Sequence, residues 1–186
     1  YLDDAIDCAA RHHAVDRNRI ALAGFADSAE TAVRIAEKRP DVFSAIGVIG
    51  VTMPGFEAQT FPDNLANVDL LYRHGEYDPT VSVAAGDWIT QVRESSGART
   101  AIDRTPDQER WWGAGTIAGQ EVVDFLVNDN HGHQTGCEID VRVSNGTRVG
   151  PNWWAKAQQR IDTVRKGRLW GDRTEQGLQL ETTNLR

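Results

Sequence analysis

DRNRIALAGFADSAETAVRIAEKRP, residues Asp16 to Pro40, decides how the chain folds. Arg19 to Phe25 is a short apolar run suited to a strand, and Ala32, Val33, Ile35 and Ala36 recur at the spacing of a helix that buries one face. Between them Gly24, Ala26, Ser28 and Ala29 are all small. A strand that turns straight into a helix doubles its backbone back on itself, so the positions two before and two after the apex must be small. Gly24 and Ser28 meet that demand around an apex at Ala26. The apex side chain is expected above the sheet, near the positive end of the helix.

Working outward, Tyr1 to Ala14 sets Leu2, Ile6, Ala9 or Ala10 and His13 at helical spacing. Val15 to Asn18 then turns the chain into the first strand. Pro40-Asp41 stops the helix, and Phe43 to Val51 is a continuous apolar run, as expected of a parallel strand buried on both faces. Thr52 to Asn67 reads as a loop, Val68 to His74 as the next strand, about Val81 to Ser95 as a helix, and Arg99 to Arg104 as a weaker strand. A loop from Thr105 to Gly115 and a helix from about Ile117 to Asn128 follow. Alternating strands and helices on short connections predict an α/β fold, a doubly wound parallel sheet, over residues 1–129. From Asn130 the texture changes: 130–137 reads as a polar linker, and 138–186 as a small β-rich appendage of about three antiparallel strands. Glu138 to Val143, parts of Asn152 to Ile161, and Gly177 to Thr183 alternate polar with apolar residues.

The bulk properties narrow the function. The 186 residues are 40% hydrophobic, enough for one core with an appendage, and carry a net charge of −7. With no Lys/Arg run to neutralise phosphates, a nucleic-acid partner is not expected. No apolar run reaches the roughly 20 residues of a bilayer span, so no membrane span is expected. Cys8 and Cys137 are far apart and allow two free thiols or one bridge. The chain begins at Tyr1, in what reads as the middle of an amphipathic helix, and is taken as a fragment whose front half is missing.

The strand, small-residue turn and helix, with Asp16-x-x-Arg19-Ile20 before and Pro40-Asp41-x-Phe43 after, resemble the α/β-hydrolase superfamily. The similarity is to its serine esterase and prolyl-oligopeptidase-like branch, which carries G-F-S-x-G-G at this point. It implies the carboxyl-terminal half of an α/β-hydrolase domain, with acyl transfer to water on ester or peptide substrates and no cofactor or metal. Nucleophile, acid and histidine follow in that chain order. The family's nucleophile position falls on Ala26, which carries none. His74-Gly75-Glu76-Tyr77-Asp78 matches the family's H-G-x-x-D and places the acid at Asp78; read alone, an Asp before a Pro is a turn former or helix cap. Pro106 to Gly113 resembles the family's Pro-Gly-x-x-His-Trp-Trp-Gly and sets Arg110 at the histidine position. A guanidinium cannot act as a base at neutral pH. The backbone N–H of Asp27 takes the place of one oxyanion donor, whereas the early strands and the loop that supplies a second donor are not among these residues.

Two losses on one chemistry indicate a domain that no longer catalyses. The alternative is an active hydrolase with substitutes: Ser28 as nucleophile, though a serine there ordinarily caps the helix, and His131 or His133 as base. His131-x-His133 with Cys137 lacks an evident fourth metal ligand. A third reading is a carbohydrate- or polymer-binding role for Trp111-Trp112 and Trp153-Trp154, set against simple packing of those rings. The latter pair and Thr182 to Leu185 resemble a β-rich tail found in some bacterial relatives.

Overall fold

The computed structural model describes residues 2–51, 62–65, 67–79, 98–108, 119–130, 132, 138–143, 167–174 and 177–183. Within them α1 (Leu2–His12) leads through a single 3-10 turn (Arg17–Arg19) to β1 (Ala21–Phe25), α2 (Asp27–Lys38) and β2 (Ala45–Ile49). A second 3-10 turn (Pro62–Leu65) precedes β3 (Asp69–Gly75) and β4 (Thr100–Thr105). After β4 comes α3 (Gln120–Val123), which continues as a π-helical turn (Asp124–Asn128). The four strands form one parallel sheet in the order β1-β2-β3-β4.

The sheet is covered on both faces, and strand periodicity says how. In β2 every residue is buried. Ile46 and Val48 pack with Ala29, Val33 and Ala36 of α2 and with Leu70 and Tyr72 of β3. Ala45 and Ile49 pack on the opposite face with Leu71, Val122, Phe125 and Leu126. Gly47 belongs to that second face, where a Cβ would come within 3.1 Å of a Leu126 methyl, so the missing side chain lets the last helix sit close. This two-sided burial explains the unbroken apolar run in the sequence. The strand is shorter than that run, because Phe43 and Ser44 are buried ahead of it and Gly50, at φ 56°, turns the chain out of it. Likewise β1 starts two residues later than expected: the Asp16 carboxylate accepts from the Asn18 N–H at 2.9 Å and winds Arg17–Arg19 into the 3-10 turn.

Buried polar side chains tie the amino ends of the strands together. Asp69 is 3% exposed and accepts from the Arg99 N–H at 2.8 Å and pairs with its side chain at 3.3 Å. The Arg99 guanidinium lies 3.8 Å over the Phe125 ring and donates to the Phe125 carbonyl. Asn130, 2% exposed, accepts from the Ser44 hydroxyl and the Gly132 N–H and donates to the Leu126 carbonyl. Asn130 and Gly132 therefore pack against the parallel sheet: a buried amide with three partners is fixed, not solvated. On the α1 side, Arg39 reaches Asp3 and Asp41. Burial opposes its charge, but hydrogen bonds and attraction from Asp41 and Asp3 outweigh that and raise its pKa.

A second sheet is antiparallel, β5 (Glu138–Val143), β6 (Gly167–Thr174) and β7 (Gly177–Thr183) in that order. β5 runs beside the 3-10 turn at Pro62–Leu65. The middle strand is β6, whose alternation the sequence reading passed over; the Asn152 to Ile161 segment read as strand lies outside the described residues, as does the Val81 to Ser95 helix. Cys8 is an exposed free thiol. Among the described residues no helix is long and apolar enough to cross a membrane.

Candidate active site

The carboxyl ends of the parallel strands bring the candidate residues to one side of the sheet. β1 ends at Phe25 and α2 begins at Asp27, so one residue, Ala26, makes the whole reversal. It does so at φ 55°, ψ −124°, a conformation costly for a residue with a Cβ, on the order of 1–3 kcal/mol. Two backbone bonds pin it: the Ala26 N–H donates to the Ile49 carbonyl and its carbonyl accepts from the Ala29 N–H, each at 3.0 Å. Gly24 is the reason the reversal closes, since a Cβ there would stand 2.2 Å from the Ser28 carbonyl oxygen. Strand, apex and helix thus form the sharp elbow expected from the spacing of small residues.

Ser28 is exposed, yet its hydroxyl is engaged. It accepts from the Phe25 N–H at 2.9 Å and donates to the Phe25 carbonyl at 2.7 Å. Asp27 opens α2, where first-turn N–H groups have no acceptor within the helix and face the positive end of its dipole.

Two strands away, β3 delivers Asp78. The Gly50 N–H donates to the Arg73 carbonyl, so the end of β2 lies between the two, and the elbow and the Asp78 turn are separated by roughly 10 Å of sheet. Asp78 is buried, in a turn closed by its own N–H to the Gly75 carbonyl at 3.1 Å. The preceding His74 is 1% exposed and stacks on Tyr72 with ring centres 6.0 Å apart. That burial keeps His74 in the core. Beneath it, Arg73 bridges Asp103 of β4, at 2.9 Å, and Glu121 of α3.

The loop leaving β4 is zipped onto the turn that holds Asp78. The Glu76 N–H donates to the Thr105 carbonyl, the Tyr77 N–H to the Gln108 carbonyl, and the Asp107 N–H to the Glu76 carboxylate. Asp107 holds φ 57°, a left-handed conformation that Asp tolerates after a proline. Arg110 lies two residues beyond this anchored stretch, outside the described residues, as do Trp111-Trp112, Trp153-Trp154, His131, His133 and Cys137. The described neighbours of His131 are Asn130 and Gly132. They sit against Ser44 and Asn18, at the opposite end of the strands from Ala26.

The sequence alone points to Ala26, Asp27 and Asp78, and not to what Ser28 and Arg73 bind. Their partners are backbone groups or residues far along the chain, for which the local sequence holds no signal. Among the described residues no group of three His, Cys, Asp or Glu side chains is placed to hold a metal ion.

No protein-family model matches the chain, and no curated protein does. The fold nonetheless has clear likenesses among solved structures. A thermostable esterase superposes at a TM-score of 0.57 with 16% identity, covering 68% of this chain and 35% of its own. A protein assigned as a dienelactone hydrolase from Klebsiella pneumoniae subsp. pneumoniae superposes at 0.53 with 19% identity, covering 67% of this chain and 58% of its own. The chain thus spans from about a third to somewhat over half of these neighbours. At such identity the likeness is one of fold, and that fold is the α/β-hydrolase fold.

Proposed function

We propose that this α/β-hydrolase-fold chain is the carboxyl-terminal part of a serine esterase- or peptidase-like domain whose site no longer performs acyl transfer and serves binding or structure instead. The observation that carries this reading is the conformation of Ala26: a strained elbow retained around a methyl group. In an active site of this kind the apex side chain attacks the carbonyl, a histidine takes its proton, and a carboxylate orients that histidine. Here the apex has no nucleophilic atom, and Arg110 at the histidine position has no lone pair to accept a proton. Asp78 keeps the acid position. Paired with Arg110, it would hold the loop by a charge-assisted contact in place of the carboxylate–imidazole pair. The Asp27 N–H, at the positive end of α2, would still polarise a carbonyl oxygen of an ester, peptide or related ligand. A separate reading, carbohydrate binding by Trp111-Trp112 and Trp153-Trp154, rests on the sequence alone.

Rescue by Ser28 is disfavoured by its two hydrogen bonds to Phe25, which turn the hydroxyl toward the strand. His131 and His133 lie outside the described residues. The test is hydrolysis of a short-chain chromogenic ester by the full-length parent protein and by its Ala26→Ser, Arg110→His double variant. No turnover by the parent and measurable turnover by the variant are expected; turnover by the parent would overturn the proposal.

A further inference from the structure

On the α3 face of the sheet the apolar packing stops one layer short of the carboxyl ends. Leu71 of β3 and Ala101 of β4 pack with Val122 of α3. Two residues further along each strand, on the same face, stand Arg73 and Asp103, paired in register. Arg73 is 8% exposed, and a buried guanidinium requires partners. Its Nε lies 2.9 Å from Asp103 Oδ2, and its Nη2 donates to Glu121 Oε2 in the first turn of α3. The second oxygen of Asp103 accepts from the Thr105 hydroxyl at 3.3 Å, and the Thr105 carbonyl accepts from the Glu76 N–H at 3.1 Å. A continuous path therefore runs from the start of α3 through one side chain of β3 to the end of β4, and back to the turn that holds Asp78.

We infer that Arg73 is a positioning residue: its guanidinium ties the strand that leads to Asp78 to both elements bounding residues 106–118, and so sets the Asp78 turn and the start of α3 relative to each other. Asp103 lies on the element before that segment and Glu121 on the element after it. The planar fork of a guanidinium can face two carboxylates at once, whereas an ammonium is a single point charge. Asp103 and Glu121 keep contact with water, at 39% and 77% exposed, and Arg73 does not, so loss of either carboxylate leaves a buried charge less compensated. Arg73 acts through Asp103 and Thr105 on the turn. The functional meaning of this joint rests on the reading of Asp78 as a site position; the joint itself does not.

Amide exchange followed residue by residue in the full-length parent protein tests this. Glu121→Gln removes a charge at an exposed position, where the fold tolerates it. The Val122 and Val123 amides, bonded to the Gly119 carbonyl, are expected to exchange about threefold faster, and so is the Glu76 amide on the Asp78 turn. Glu121→Asp keeps a negative charge at the positive end of α3 but shortens its reach, and is expected to match Glu121→Gln. If it matches the parent instead, the helix dipole accounts for the effect and the inference falls. Asp103→Ala cuts the same path, so it speeds Glu76 exchange, and adding Glu121→Gln to it changes Glu76 no further. The Gly50 amide, bonded to the Arg73 carbonyl, and the Asp129 amide, at the far end of α3, keep their rates, which separates the joint from general loosening. An unchanged Glu76 rate in Glu121→Gln reduces Arg73 to a local brace of α3 and overturns the positioning role. None of these readouts involves ester turnover, so failure of the joint and failure of the inactive-site proposal are told apart.

Discussion

The two ends of the parallel sheet are built on different principles. At the amino ends, charged and amide side chains are sunk into the core and bonded to distant backbone: Asp69 to Arg99, Arg99 to Phe125, Asn130 to Ser44 and Leu126. At the carboxyl ends, the joints are mostly backbone hydrogen bonds between loops, with positive φ at Ala26, Gly50 and Asp107. Buried polar side chains occur at both ends, His74 and Asp78 among them, but only the carboxyl ends carry strain at Ala26 and leave it partly exposed and Asp27, Glu76 and Tyr77 exposed. That division is the expected one where a site sits on a scaffold, because strain persists only where the surrounding structure over-determines it.

The sharpest way to break the comparison is at Gly24. Gly24→Ala places a methyl inside contact distance of the Ser28 carbonyl, a backbone atom that cannot swing aside. It is expected to destabilise by about 3 kcal/mol or more in urea unfolding, and a neutral result would mean the elbow is not rigid. Next comes Asn130→Ala, which leaves the Ser44, Gly132 and Leu126 groups without their shared partner. A loss of about 2–3 kcal/mol is expected, and a loss under about 0.5 would remove the contrast between the two ends.

Ala26→Gly should act with the opposite sign. Glycine takes φ 55° freely, so relief of strain is expected to offset its greater unfolded-state entropy and stabilise the chain by about 0.5–1 kcal/mol. Destabilisation instead would show that the Ala26 methyl packs and that the apex is not strained. Asp78→Ala tests the carboxyl end from the acid loop: if Arg110 pairs with Asp78, thermal stability falls by about 1–3 kcal/mol, and an unchanged melting temperature removes that pairing. The smallest effect belongs to Arg17→Ala, which breaks an exposed ion pair with Asp7 at 2.6 Å. Less than about 0.5 kcal/mol is expected, because both groups remain well solvated in the folded chain.

How much of this was readable in advance follows the range of the interactions. The elbow was readable because everything that makes it lies between Gly24 and Ser28. The buried strands were readable because apolar runs such as Phe43 to Val51 leave no solvent-facing residue. Their ends were less so: Asp16 wound the first residues of the expected β1 into a 3-10 turn, and Gly50 cut β2 short. β6 escaped notice because Gly167 to Thr174 interleaves glycines and charges with a single Leu-Trp pair, which blurs a period of two. The role of Asn130 was invisible in a run of polar residues, since a buried asparagine and a solvated one look alike until their partners are known.

The sequence by itself determined the order of the described strands and helices, the apex at Ala26 with small residues on either side, and the turn at Asp78. These are set by steric demands and periodicities that act over a few residues. Tertiary structure alone decided which face each strand gives to α2 or to α3. It also decided that Arg19 reaches the Val127 carbonyl and Ser44 reaches Asn130, 108 and 86 residues along the chain. Contacts over such separations depend on how whole elements pack, and no local spacing encodes them.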